Sequence, residues 1–329
     1  MKLSTALLGA VLSFAVACGG GDSAPAVAPS AAPAETPAPG VPRFLITNPK
    51  GLSERAGTSD KVLVRTDPGF FVIDPAVSPD GKKIAYGLQL PAKAGSDGKV
   101  DFGTDLYVAN RDGSAPKLVA KHSSAGEAIQ KPNWTPNGKE LLFEVLGVSG
   151  TGQSDFRIET VNLDSGARKR VIEGAIEPAL APDGHTLAYV RVDALTRFEA
   201  LYIGDVAGGP ELRVVPPNLT LTFYVSTTWS PDGSRLAFAA ANPSTAMLPA
   251  RPGTSAHPTL QDVWVVNKDG AGLRLVAELA ESVPSISWTP DNASVYVLGG
   301  GGFWLVDMTS GAKQPVGDGV VQGQVWLLR

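Results

Sequence analysis

The chain has one cysteine and three histidines in 329 residues, and only 18% of its residues are charged. A lone cysteine excludes an internal disulfide framework. With 28 basic against 32 acidic residues there is no polycationic signature, so nucleic acid is not an expected partner. No stretch sustains a helical period, which removes bundles and coiled coils. The longest apolar run, from Leu3 to Ala17, is too short for a comfortable membrane span. No Gly-x-Ser-x-Gly elbow occurs, and the glycine run Gly299 to Gly302 joins two strand-like segments instead of opening a helix. A hydrolase-type nucleophile and a phosphate-cradling loop are therefore not expected. His122, His185 and His257 fall in two loops and one tight turn, which forms no three-histidine metal site.

Glycine and proline are abundant instead, at 37 and 27 residues. Their placement is periodic. Ser78-Pro79-Asp80-Gly81 returns as Thr135-Pro136-Asn137-Gly138, Ala181-Pro182-Asp183-Gly184, Ser230-Pro231-Asp232-Gly233 and Thr289-Pro290-Asp291-Asn292. Proline presets φ at the first central position, Asp or Asn bonds local backbone at the second, and Gly or Asn takes the positive φ that follows. Each copy is a hairpin turn, and the recurring Asp is explained by turn chemistry, not catalysis. Successive prolines are 57, 46, 49 and 59 residues apart, a repeat length that points to propeller blades.

Each unit reads as four strands: an inner strand such as Thr227-Thr228-Trp229, the turn, a second strand such as Leu236-Ala237-Phe238, a third such as Asp262-Val263-Trp264-Val265, and an outer strand such as Arg274-Leu275-Val276. The pattern (Ser/Thr)-Pro-Asp-Gly-x-x-(apolar)-(Ala/Leu)-(Tyr/Phe), then Asp-(Leu/Val)-(Tyr/Trp)-Val-x-Asn-x-Asp-Gly, resembles the PD40 repeat of TolB-like, WD40-like β-propellers. The WD and Gly-His signatures of WD40 repeats themselves are missing. The resemblance implies an all-β fold, with repeats around 74-120, 131-172, 177-215, 226-276 and 285-316 in a propeller spanning 43-329. These are five complete units. Sheet edges and apolar faces must be covered, so the remaining segments, Arg43 to Asn48 and Lys61 to Val64 at one end and Gln324 to Leu328 at the other, are expected to form a sixth, composite blade. The expectation is a six-bladed propeller of four-stranded antiparallel blades.

Residues 1-17 read as a signal peptide, and Ala15-Val16-Ala17-Cys18 resembles a bacterial lipobox. The resemblance implies that Cys18 carries a lipid and anchors the chain to a membrane; ordinary signal cleavage is the alternative. Residues 18-42 are rich in Pro and Ala and read as an extended tether. The expected location is the cell envelope, on its periplasmic face or the cell surface. Gly19 after the cysteine resembles a sorting signal for the outer membrane.

Both short turns of every unit fall on one rim, leaving the long connections on the other, where binding usually lives. Five positions before each repeat proline stand Asp74, Lys131, Glu177, Ser226 and Ser285. These should begin the inner strands and ring the channel mouth on the long-loop rim. Two carboxylates, a lysine and two serines make a poor metal cage, although calcium held through backbone carbonyls remains open; no other cofactor is expected. Arg197 beside Phe198, and Phe223-Tyr224, lie in long-rim connections with the composition of an interaction hot spot, the alternative being local core. The expected function is a non-enzymatic binding or scaffold module for a protein, peptide or envelope polymer. The alternative is a metal-assisted hydrolase or lyase with its site at the channel mouth.

Overall fold

The computed structural model describes residues 41–94, 100–148, 153–193, 199–242, 261–281, 284–299, 302–316 and 324–328. Residues 1–40, Cys18 among them, lie outside the described residues. Among the described residues there is no helix. The strands run in chain order as β1 (Arg43–Asn48), β2 (Gly51–Ala56), β3 (Ser59–Arg65), β4 (Phe71–Val77), β5 (Lys83–Ala94), β6 (Val100–Asn110), β7 (Lys117–Ala120) and β8 (Glu127–Trp134). They continue as β9 (Glu140–Val148), β10 (Ser154–Asn162), β11 (Arg168–Glu173), β12 (Ala175–Leu180), β13 (Thr186–Val192), β14 (Glu199–Asp205), β15 (Leu212–Arg213) and β16 (Thr222–Trp229). The last are β17 (Arg235–Ala241), β18 (Gln261–Asn267), β19 (Arg274–Glu281), β20 (Ser285–Trp288), β21 (Ser294–Gly299), β22 (Gly302–Asp307), β23 (Lys313–Pro315) and β24 (Val325–Leu328).

Four of the sheets have four antiparallel strands: β24-β1-β2-β3, β12-β13-β14-β15, β16-β17-β18-β19 and β20-β21-β22-β23. Strands β4 to β7 and β8 to β11 make two more antiparallel sets, merged by a short parallel bridge that sets Gly103 and Thr104 of β6 beside Glu127 and Ala128 of β8. The glycine is required at that bridge: a Cβ at Gly103 would stand 2.7 Å from the His122 ring and 2.8 Å from the Glu127 carbonyl oxygen. The C-terminal strand β24 pairs with β1, Arg43 opposite Leu328, so one sheet is built from both ends of the chain with β24 innermost. Innermost strands touch in a circuit, β4 with β8, β8 with β12, β12 with β16, β16 with β20, β20 with β24 and β24 with β4. Between the sheets lie the apolar clusters; Trp229, Phe238 and Trp264, for example, pack with Val190 and Leu201 of the preceding set.

The repeated turns behave as their chemistry dictates. Gly81, Gly138, Gly184, Gly233 and Asn292 all have φ between 61° and 76°. In each turn the amide of that residue donates back to the Ser, Thr or Ala carbonyl three residues earlier, at 2.8 to 3.1 Å. Asp80, Asp232 and Asp291 accept from the Ser or Thr hydroxyl two residues before them, at 2.6 Å each, and these bonds hold their carboxyls below the usual range.

Just before three of the turns stands a tryptophan that reaches into the neighbouring set. The indole N–H of Trp134 donates to the Ala76 carbonyl at 3.1 Å, that of Trp229 to Ala179 at 2.9 Å and that of Trp288 to Thr228 at 3.0 Å. Each acceptor belongs to the innermost strand of the preceding set. A buried indole needs such a partner, and here the partner joins two sheets. Replacing Trp229 by Phe keeps most of the packing and removes the donor. The expected result is a loss of about 1 kcal/mol, read as a lower urea midpoint at unchanged slope; an unchanged midpoint would show that the bond carries no weight.

Candidate functional site

Four of the five ring residues share an uncommon backbone conformation. Asp74, Lys131, Glu177 and Ser226 have φ of 48°, 54°, 55° and 54°, the left-handed region. Each coincides with a slip in strand register, between Ile73 and Ala76, Gln130 and Asn133, Ile176 and Ala179, and Val225 and Thr228. They are β-bulges. A bulged residue turns its amide out of the ladder. In three cases the next residue is a proline, Pro75, Pro132 or Pro178, which has no amide to give to the ladder. These residues therefore lie within β4, β8, β12 and β16 and not at their starts, which corrects the sequence expectation; Ser285 does begin β20.

The freed amides are taken up by side chains of the preceding set. The Asp74 amide donates to Gln324 Oε1, next to β24, and Gln324 Nε2 returns a bond to Asp74 Oδ1, both at 2.5 Å. The Lys131 amide donates to Asp74 Oδ2 at 3.3 Å, and its ammonium group to Glu177 Oε1. The Glu177 amide donates at 2.5 Å to Glu144 Oε2 of β9, whose other oxygen accepts from Gln130 Nε2 at 2.7 Å. The Ser226 amide donates to Glu177 Oε2 at 3.0 Å, and the Ser226 hydroxyl to the Pro284 carbonyl at 2.5 Å. Ser285 completes the circuit: its hydroxyl bonds the backbone of Val325 in β24 at 3.1 Å. Asp74, Lys131, Glu177 and Ser226 are thus brought together as one girdle around the innermost strands.

Its charged groups lie against one another. Glu144 is 1% exposed, and burial pushes its carboxyl up to about 7, aided by Glu177 and opposed by Lys131. Burial raises Glu177 as well, against the pull of Lys131. Burial disfavours charge on Lys131, but the carboxylates of Glu177, Glu144 and Asp74 outweigh it and hold the amine protonated, above its usual range. A lysine so held is neither base nor nucleophile near neutrality. Among the described residues no group of three or more His, Cys, Asp or Glu is placed to hold a metal ion. These bonds run from each set of strands to the next, so the arrangement clasps the sheets.

The remaining sequence candidates separate. Phe223 is 42% exposed and has φ of 53° at a second bulge in β16, between Thr222 and Val225. It is clamped from both sides, since its carbonyl accepts from Gln261 Nε2 at 2.9 Å while the adjacent Tyr224 amide donates to Glu199 Oε2 at 3.4 Å. Burial raises the Glu199 carboxyl. Tyr224 takes the core alternative: it is 3% exposed, packs 5.9 Å from the Phe238 ring, and its hydroxyl is pushed up by burial. Arg197, Phe198 and Cys18 lie outside the described residues.

Sequence reasoning missed Glu144, Gln324 and Glu199. Two of them had a signal. Glu144 interrupts the second strand at a position where the other repeats have Gly87, Val190, Ala239 and Leu298, and Gln324 sits in the ring position of the composite set. Also missed was a buried ion network beside the parallel bridge. There Arg157 bonds Glu127 and Glu159 at 2.5 Å and Asp155 at 2.7 Å, and His122 lies between Asp105 at 2.6 Å and Asp101 at 3.1 Å. Burial opposes the charge on His122, but its two aspartates raise it above its ordinary value.

Removing the cation from the girdle strands its carboxylates. Lys131→Met is expected to destabilise the fold by about 3–5 kcal/mol at neutral pH, and by less in acid, where those carboxyls protonate. In the native chain the Glu144 carboxyl is raised from 4.5, so its contribution is full below that value and fades as pH rises through about 7. Urea midpoints measured from about pH 5 to 8 should therefore fall, and fall less in Glu144→Gln; Glu177, Glu199 and His122 are raised too and act with the same sign in both proteins, so the difference reports Glu144 together with its interaction with Glu177. Parallel curves would contradict this assignment.

No family model matches the chain. It is 28% identical over 155 residues to an uncharacterized protein, Atu1656, of Agrobacterium fabrum (strain C58 / ATCC 33970), a match that covers 45% of this chain and 46% of that protein. The aligned region is thus about half the length of the curated relative. Among solved structures, TolB from Acinetobacter baumannii aligns at a TM-score of 0.54 and 18% identity, over 87% of this chain and 66% of that one. The putative TolB from Agrobacterium tumefaciens aligns at 0.54 and 18% identity, over 86% and 91% of the two chains. The fold of this chain is that of a TolB-like β-propeller.

Proposed function

We propose that the chain is an exported, lipid-anchored binding or scaffold module of the cell envelope. In this reading it is a six-bladed propeller whose composite blade closes the ring, and its long-loop rim engages a protein, peptide or envelope polymer. Six antiparallel sets of strands and the circuit of innermost strands support the blade number. The lipobox resemblance of Ala15 to Cys18 supports the anchor, and the envelope location follows from it.

One observation carries the binding reading. Phe223 is a large aromatic, exposed, in a left-handed conformation that L-residues adopt at a penalty of about 1–2 kcal/mol. Glu199 of the preceding sheet and Gln261 of its own sheet hold the backbone there. Strain maintained by surrounding structure, with an aromatic presented to solvent at the end of a strand on the long-loop rim, is the arrangement of a prebuilt contact point.

Photo-crosslinking tests the reading. A photoreactive amino acid at position 223, and in a second protein at Asp80 on the opposite rim, would be activated in envelope extract from the native host. The expected outcome is a discrete adduct from position 223 that Asp80 does not give. Identical adducts from both positions, or none from 223, would overturn the rim assignment.

A further inference from the structure

The rim of tight turns carries a cavity of about 670 Å³ beneath the composite sheet. Its origin is topological. Elsewhere the first two strands of a set are joined by a Pro-Asp-Gly type turn that covers this end; β24 and β1 have no such connection, because one ends the described chain and the other begins it. Val41, Pro42 and Arg43 line the cavity together with Leu327 and Leu328.

The wall has two kinds of surface. Val41, Pro42, Pro290 and the half-buried Leu328 supply the solvent-facing apolar lining, with the buried Leu63, Tyr296 and Leu327 behind them. Opposing them are three cations, Arg43, Lys61 and Arg111, against two acids, Glu54 and Asp112. One carboxylate is shared between two guanidinium groups: Glu54 Oε1 accepts from Arg43 Nε at 2.6 Å, and Glu54 Oε2 from Arg111 at 3.0 Å. Both arginines are therefore held in place while keeping donors unspent. Lys61 makes no hydrogen bond or ion pair among the described residues; the Asp112 carboxyl is held low by its bonds to Ser114, with a smaller contribution from the Lys61 charge. Asp112 in turn is occupied with Ser114, whose amide it accepts at 2.9 Å. The wall is left with surplus positive charge and free donors beside an apolar surface.

We infer that this cavity binds a monocarboxylate with an apolar body. The carboxylate would be received by Arg43, Arg111 and Lys61, and the body by Val41, Pro290 and Leu328. Fixed guanidinium forks suit a planar anion, and a cavity of this size admits a small amphiphile or the end of a peptide. The inference is independent of the long-loop rim, because it concerns the other end of the molecule.

Calorimetric titration of the full chain tests it, with four probes: decanoate below its micellar concentration, decylamine, the tripeptide N-acetyl-Ala-Leu-Leu, and the same tripeptide as its C-terminal amide. Saturable binding of decanoate, of the free-acid peptide or of both is expected, with the stronger of the two naming the source as a fatty acid or a peptide C-terminus. Lys61→Ala, an exposed position, should weaken that binding about threefold to tenfold, and Lys61→Ala with Arg43→Ala should weaken it further. Circular dichroism of both variants verifies the fold. Binding of neither anion, equal binding of the amine or the amide, or unchanged affinity in the two variants would overturn the inference.

Discussion

An amide that points out of its own sheet inside a protein must find an acceptor, and the whole ring depends on where four of them find it. At Asp74, Lys131, Glu177 and Ser226 the backbone leaves the ladder at a left-handed bulge. Each freed amide is bonded by a side chain of the preceding set, from Gln324, Asp74, Glu144 and Glu177 in turn. Left-handed conformations cost about 1–2 kcal/mol apiece, and an orphaned buried amide costs about as much. Both penalties are offset only when neighbouring sets are in register. The girdle consequently couples local backbone shape to the docking of one sheet against the next.

The residues that the sequence places at the channel mouth thus clasp the sheets together. Lys131 is ion-paired with Glu177, and Glu144 is sealed from solvent. A second set of fasteners, the indole bonds of Trp134, Trp229 and Trp288, lies nearer the turn end of the same strands. A third, the Arg157 and His122 network, braces the bridge that merges two of the sets. Such a scaffold can hold Phe223 in a strained, exposed position on one rim and tolerate an uncovered cavity on the other.

The five turns were legible because their chemistry is local: proline, Asp or Asn and a residue able to take positive φ must follow one another, and they do. The all-β class and the pairing of the two chain ends were legible from the same spacing. Ring membership of Asp74, Lys131 and Glu177 was legible too, by counting back from each proline. Their bulges were not read, although the prolines at 75, 132 and 178 repeat at the same offset and signal a missing ladder donor. Tyr224 and Phe223 could not be separated, because adjacent residues in a strand face opposite sides and only the position of the second bulge decides which one is buried. The cavity could not be foreseen at all. Its lining is drawn from residues as far apart in sequence as Arg43, Arg111, Tyr296 and Leu328, which no local motif joins.

Amide hydrogen exchange resolved to single residues tests the central claim most directly. If the girdle couples the sheets, the amides of Asp74, Lys131, Glu177 and Ser226 exchange only with global unfolding, at the same rate as core amides such as Val190 and Phe238. Exchange of these four at the rate of the exposed turns, while the core stays protected, would contradict the account.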